Sequence, residues 1–289
     1  MCKQIRWNSQ PLDVWREKYA KGKFIDLKGH LTHYIEKGEG PPVILLHGWF
    51  HDSQMWNMNI DVLAQKFRVY AIDFWGFGYS TRKMMDWNYE LYLQQLQNFI
   101  DNLGIQRASL IGHCMGAGVS QLFCTHHRER VNKLVLVSPA GLPNPSPLID
   151  EAAVQRCLRQ LMTNQGKSRR LLLDTMFIYQ DSSLSDEYFA ELTRFHEIAG
   201  TNEVLISNLK NNFFDGLSTE IKHLGEMDVP ILIVWGRHDK AVTPGMDQKM
   251  NSMLRSSQLE IFEESAHCAN YEQPDKFNSL VMNFLSGYC

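Results

Sequence analysis

Long apolar runs are missing from this sequence. Nowhere does it approach the roughly 18 consecutive apolar residues of a membrane-spanning helix, so no transmembrane segment is expected. The opening residues, Met1-Cys2-Lys3-Gln4-Ile5-Arg6-Trp7, lack the apolar core of a signal peptide, and a cytoplasmic protein is the expectation. Charge of one sign is scarce as well: the formal net charge is -3, no run of like charge exceeds a few residues, and nothing offers nucleic acid a basic surface. The cysteines at 2, 114, 124, 157, 268 and 289 form no C-x-x-C pair and have no histidines at metal-ligand spacing. That argues against a zinc site and against a disulfide framework. Gly76 and Gly78 are too few, and follow the wrong kind of element, to form a dinucleotide loop; they read as turn residues. Neither a metal nor an organic cofactor is called for.

What is present is apolar and periodic. In 289 residues, 44% hydrophobic, there is material for one extensive core, and a single domain with an insertion is the simplest fit. Residues 1–23 form a polar extension with a short helix around Asp13 to Ala20. Phe24 to Leu27 and Leu31 to Ile35 alternate about Lys28-Gly29-His30, as an edge hairpin would. Continuous apolar runs at Val43–Leu46, Phe67–Ile72, Ala108–Cys114, Val131–Val137, Val229–Trp235 and Gln258–Phe262 read as buried strands. Helical periods lie between them at Asn57–Gln65, Tyr89–Leu103, Val119–Cys124, Gly245–Leu254 and Pro274–Leu285. Strands alternating with helices predict an α/β fold, a mostly parallel sheet with helices on both faces and function at the carboxyl ends of its strands. From Leu142 to about Gly225 the strands stop and helical, aromatic-rich sequence takes over. The expected organisation is therefore an extension (1–23), a core (24–141 and 226–289) and a helical cap (142–225).

One stretch organises the rest. Ser109-Leu110-Ile111 runs into Gly112-His113-Cys114-Met115-Gly116 and then into helix formers: a strand, a sharp turn and a helix, G-x-S-x-G with cysteine in the middle. Side chains at either glycine would crowd so tight a turn, and the helix start beside Cys114 favours a thiolate. Taken alone, the motif could equally mark a buried structural cysteine. Three further motifs accompany it, however: His47-Gly48-Trp49, Gly236 to Asp239, and Ala266-His267 followed by Glu272-Gln273-Pro274, each just past a predicted strand.

In order and placement these motifs resemble the α/β-hydrolase family, from Phe24 onward. The resemblance implies a nucleophile, acid and base at Cys114, Asp239 and His267. It also implies an oxyanion hole from the backbone amides of Trp49 and Met115. A thiol needs a neighbouring base, and the base needs a group that fixes its tautomer, the roles of His267 and Asp239. Asp228 precedes its strand, Asp73 lies on a different strand end, and Ser138 stands where some family members carry the acid; all three fit less well. Phe50, His113, Met176, Phe177, Phe213 and Phe214 are candidate substrate contacts. His51, Asp52 and Trp75 read as loop structure.

The expected reaction is hydrolysis of a carboxylic ester, lactone or thioester with an apolar acyl group, through a covalent thioester. Capped esterases and carbon–carbon bond hydrolases are the members this chain looks most like. Several alternatives stay open at this point: carbon–carbon bond hydrolysis, acyl transfer to another acceptor, a cysteine standing where a parental serine was replaced, cofactor-free oxygenase or lyase chemistry, and a non-catalytic receptor. The expected partner is a small apolar molecule, and a homodimer is left open.

Overall fold

The computed structural model describes residues 7–143, 186–211 and 216–287. An eight-stranded sheet carries them. β1 (Lys23–Leu27) and β2 (His30–Lys37) form the hairpin at one edge. Lys28 and Gly29 join them with φ of 57° and 86°, the two positive values of a type I′ turn. β3 (Pro42–Leu46), β4 (Arg68–Ile72), β5 (Ala108–His113), β6 (Val131–Val137), β7 (Ile231–Gly236) and β8 (Ser257–Phe262) follow. The order across the sheet is β1-β2-β4-β3-β5-β6-β7-β8, antiparallel at β1/β2 and β2/β4 and parallel thereafter.

The central strands are buried on both faces. Val43 to Leu46, Leu134 to Val137 and Ile231 to Val234 are almost wholly inaccessible, because helices cover both sides of a parallel sheet. Those helices are α1 (Leu12–Tyr19), α2 (Asn57–Leu63), α3 (Tyr89–Asn102) and α4 (Met115–His126). Between β6 and β7 come α5 (Asp186–Thr193), α6 (Thr201–Lys210) and α7 (Ser218–Leu224). α8 (Met246–Met253), α9 (Ala269–Glu272) and α10 (Pro274–Ser286) complete the series. In α3 the buried residues Tyr89, Tyr92, Leu93, Leu96, Phe99 and Ile100 recur at spacings of three and four, and Asn88 caps the start by accepting the Leu91 N–H at 2.9 Å. α10 begins at Pro274 and ends at Gly287, whose φ is 83°.

Within the expected cap, the described residues contribute helices and turns and no strand of the sheet. No described helix is long and apolar enough to cross a membrane. The chain passes from β3 outward to β4, then returns to place β5 on the other side of β3. The carboxyl ends of β3 and β5 therefore flank a topological switch point, where α/β sheets open a crevice.

Candidate active site

Cys114 follows β5 directly and caps α4 with φ of 48° and ψ of -110°. A non-glycine residue in this region is strained, and the surroundings hold it there. Its N–H donates to the Val137 carbonyl at 2.9 Å, and its own carbonyl accepts from Gly118 and Ala140, each at 3.1 Å. The neighbouring glycines let the elbow close. A Cβ on Gly112 would lie 2.5 Å from the Ala117 Cα, and one on Gly116 would lie 2.6 Å from the His47 carbonyl oxygen. The first turn of α4 has no acidic side chain, so the positive end of the helix is left to the sulfur.

Asp239 and His267 arrive from β7 and β8. Gly236 makes this possible: a Cβ there would come within 2.5 Å of the Ser265 carbonyl oxygen. His238 N–H donates to that same carbonyl at 3.0 Å, tying the two loops together. Asp239 Oδ1 accepts the amides of Ala241 (2.9 Å) and Val242 (3.3 Å), while Oδ2 accepts from His267 Nδ1 at 2.8 Å. Both side chains are buried, at 1% and 2% exposure. With Nδ1 donating to a carboxylate, Nε2 is the ring position that faces Cys114. Burial alone would lower the imidazole's pKa. The Asp239 charge, the Cys114 charge and a hydrogen bond from each overcome it and raise the ring to about 10.

The loop after β3 completes the site. His47 donates Nδ1–H to the Gly48 carbonyl at 2.8 Å and accepts the Phe74 N–H on Nε2 at 3.0 Å, which fixes it as a neutral strut; burial holds its pKa down at about 4. A Cβ on Gly48 would lie 3.3 Å from the Cys114 Cβ, so the chain entering Trp49 passes directly over the elbow. His51 N–H closes a turn onto the Gly48 carbonyl at 3.2 Å, and Phe50 occupies its third position with φ of 78°. Type II turns need that conformation there and usually fill it with glycine or asparagine; for phenylalanine it costs on the order of 1–3 kcal/mol. The Met115 amide belongs to the first turn of α4, where no intrahelical acceptor exists.

The other candidates are accounted for. Asp73 is buried in an ion pair with His33 at 2.7 Å and also accepts the amides of Ser53 and Tyr79. Burial would raise its carboxyl, but His33 and His47 hold it down at about 2. Asp228 is exposed. Ser138 is buried behind β6 with φ of 42°. Trp75 Nε1 donates to Thr32 Oγ1 at 2.7 Å, and Asp52 caps the 3-10 turn Ser53–Trp56, so both serve the loops; His51 is likewise buried. Gly78 lies so close to the Asp73 carboxylate that only hydrogen fits. Among the described residues no group of histidine, cysteine, aspartate and glutamate could hold a metal, and Cys114, Cys124 and Cys268 are free thiols.

Of the candidate substrate contacts, Phe50 is buried and packs on Trp49, with ring centroids 4.7 Å apart. His113 is wholly buried; it donates Nε2–H to the His267 carbonyl at 2.9 Å and stands edge-on to that ring at 4.7 Å, so its contacts support His267. Met176, Phe177, Phe213 and Phe214 lie outside the described residues. Two participants escape the sequence reading. Glu272 accepts the amides of Ala266 and Cys268, at 3.0 Å and 2.9 Å, and so brackets His267 from both sides. The motif around Glu272 was visible; its task was not. His196 has no motif at all, and it contacts the Phe50 carbonyl.

A cysteine at the end of β5 and a buried imidazole bonded to a carboxylate thus share the carboxyl edge of the sheet, beside a helix start and the loop of His47-Gly48-Trp49. Such a set of groups can move a proton between sulfur and nitrogen and hold charge on a tetrahedral oxygen. Known proteins have the same plan. The 2-hydroxy-6-oxo-6-phenylhexa-2,4-dienoate hydrolase of Comamonas testosteroni is 29% identical over 281 residues, covering 93% of this chain and 96% of its own. A 2-hydroxy-6-oxononadienedioate/2-hydroxy-6-oxononatrienedioate hydrolase of a Pseudomonas species is 29% identical over 280 residues, covering 92% and 97%. Among solved structures, a meta-cleavage product hydrolase from Pseudomonas fluorescens superposes with a TM-score of 0.82 at 27% identity, covering 93% of this chain and 98% of that one. The family model described as alpha/beta hydrolase fold matches residues 41–274, and the chain belongs to that family as one of its hydrolase enzymes.

Proposed function

We propose that this hydrolase cleaves a carboxylic ester, lactone or thioester with an apolar acyl group through Cys114, His267 and Asp239. The observation that carries the reading is the buried 2.8 Å contact of His267 Nδ1 with Asp239. It leaves the opposite ring nitrogen for a cysteine held in a strained elbow. In the first half-reaction the Cys114 sulfur attacks the acyl carbon as its proton resides on His267, and the carbonyl oxygen becomes an oxyanion held by the Trp49 and Met115 amides. The oxyanion collapses, the bond to the leaving group breaks, and His267 gives its proton to that group. In the second half-reaction His267 takes a proton from water, the hydroxide attacks the thioester, and the sulfur leaves with the acid formed. In this reading residues 142–225 supply an apolar roof, as their aromatic-rich sequence leads one to expect.

A second reading has support from the relatives, whose names place 2-hydroxy-6-oxo-dienoates among their substrates. In that case the same groups hydrolyse a carbon–carbon bond beside a 6-oxo group. Intact-protein mass spectrometry with a panel of chromogenic esters and one such dienoate separates the two. Ester turnover with a mass gain on Cys114 supports the first. Dienoate cleavage without ester turnover supports the second. A Cys114→Ala chain that keeps full activity removes the residue from either scheme.

A further inference from the structure

Residues 7–10 carry no catalytic motif, yet they are tied to the loop that enters the site. Asn8 N–H donates to the His196 carbonyl at 2.9 Å, Ser9 and Gln10 N–H donate to the Glu197 carbonyl at 2.9 Å and 2.8 Å, and Ala199 N–H returns a bond to Gln10 at 2.9 Å. Trp15 Nε1 adds a bond to the Glu197 carboxylate at 3.0 Å. The segment so clamped is the 3-10 turn Arg194–Glu197, between α5 and α6. Its His196 is wholly buried, with Trp7 lying nearly parallel to the imidazole at 5.0 Å and 13°.

His196 in turn holds Phe50. Its Nε2–H donates to the Phe50 carbonyl at 3.2 Å, and the two rings pack with centroids 4.9 Å apart. Phe50 is the residue with φ of 78° in the turn that delivers Trp49. A phenylalanine in that conformation stays there only if its surroundings demand it. Relaxation to a right-handed backbone would swing the Trp49–Phe50 peptide and change how Trp49 enters the site.

We propose that His196 is a positioning residue for the oxyanion hole, its ring set by the strap of residues 7–10 and its Nε2–H holding Phe50 in the strained turn. The inference rests on the reading of the Trp49 amide as an oxyanion donor. It assigns the extension a task that composition could not suggest, and it makes two segments remote in sequence share control of the reaction.

Two variants and two readouts test it. His196→Phe keeps an aromatic ring against Trp7 and removes the donor; His196→Gln keeps an N–H in reach. For His196→Phe, kcat on a chromogenic ester is expected to fall about 10- to 100-fold with KM within about threefold, as displacement of a positioned group predicts. Amide hydrogen exchange across residues 47–53 is expected to rise about tenfold in the same chain, because a turn released from its anchor opens more often. His196→Gln is expected to recover both to within about threefold of the parent. Failure of either signal in His196→Phe overturns the proposal, as does an equal loss in both variants, which would mark a purely structural role. Trp7→Ala with parental exchange and kcat overturns the part given to the strap. Raised exchange in His196→Phe from a parent that never turns over ester removes the oxyanion role and the ester reading together, while the exchange by itself reports whether His196 holds the turn.

Discussion

Everything at the scale of single residues turns on the proton of His267. Burial pushes the ring down, Asp239 and Cys114 push it up, and the balance is about 10. Its pKa therefore lies above neutral pH, and the ring is an imidazolium there. On the proposed mechanism a ring in that state already carries the leaving-group acid, and activity is lost as pH rises through about 10 and the proton leaves. Serine at position 114 would remove one of the two charges that raise the ring and would need a neutral imidazole as base. The pH dependence of kcat/KM above 7 should then invert, falling toward pH 10 in the parent and holding or rising in Cys114→Ser; superimposable profiles would mean that the sulfur does not raise the ring. Asp239→Asn acts on the same proton differently. An amide can donate to Nδ1, favouring the tautomer that puts the proton on Nε2, and acylation should slow by about four orders of magnitude. Single-turnover acylation followed by mass spectrometry measures it, and an unchanged rate would move the acid elsewhere.

At the scale of elements, the site works because strands end in backbone-to-backbone contact. Gly116 is the clearest instance: a methyl group there meets the His47 oxygen at 2.6 Å, and the Leu46 carbonyl is nearer still. Gly116→Ala must push α4 away from β3, at a cost of about 1–3 kcal/mol for overpacking. The unfolding midpoint should drop by roughly 2–10 °C, and kcat should drop with it because the Met115 amide moves. A midpoint within about 1 °C of the parent would mean that the elbow is looser than its contacts indicate. Elements of this kind were legible in advance. Apolar runs marked the strands, and the positions just past their ends made Cys114, Asp239 and His267 the candidates, since α/β sheets gather function there. What stayed hidden depends on pairs far apart in the chain or on single turns. Glu272 gripping the amides on either side of His267, and His196 gripping Phe50, leave no period or spacing to read. The 3-10 turn Ser53–Trp56 and α9 are one turn each, too short for a helical period to show.

For the whole molecule, the cluster of buried histidines around the site sets how it meets acid. Burial lowers His47 to about 4, His51 to about 3 and His113 well below its ordinary value, while unfolded histidines titrate near 6.5. As pH falls from about 6 toward 4.5, then, unfolding takes up protons at these rings that the native state refuses, and stability falls. Asp52 works the other way. Burial and the nearby Asp73 charge raise its carboxyl well above 3.8, a direction that opposes the histidines. His267, raised to about 10, is protonated in both states over most of this window and contributes little slope; its stabilisation fades as pH climbs from about 6.5 toward that value. Asp73, depressed to about 2, loses its contribution only below the window, as pH falls through 3.8 toward that value. Each ring that stays neutral costs about 1.4 kcal/mol of stability per pH unit once its unfolded counterpart is charged. Urea unfolding at pH 6, 5.5 and 5 should show stability falling with pH. Asp52→Asn removes an opposing carboxyl and should steepen the loss, whatever the substitution does to stability at pH 7. A flat profile in the parent would mean that water reaches these rings in the native state, and an unaltered slope in the variant would return Asp52 to an ordinary ionised cap.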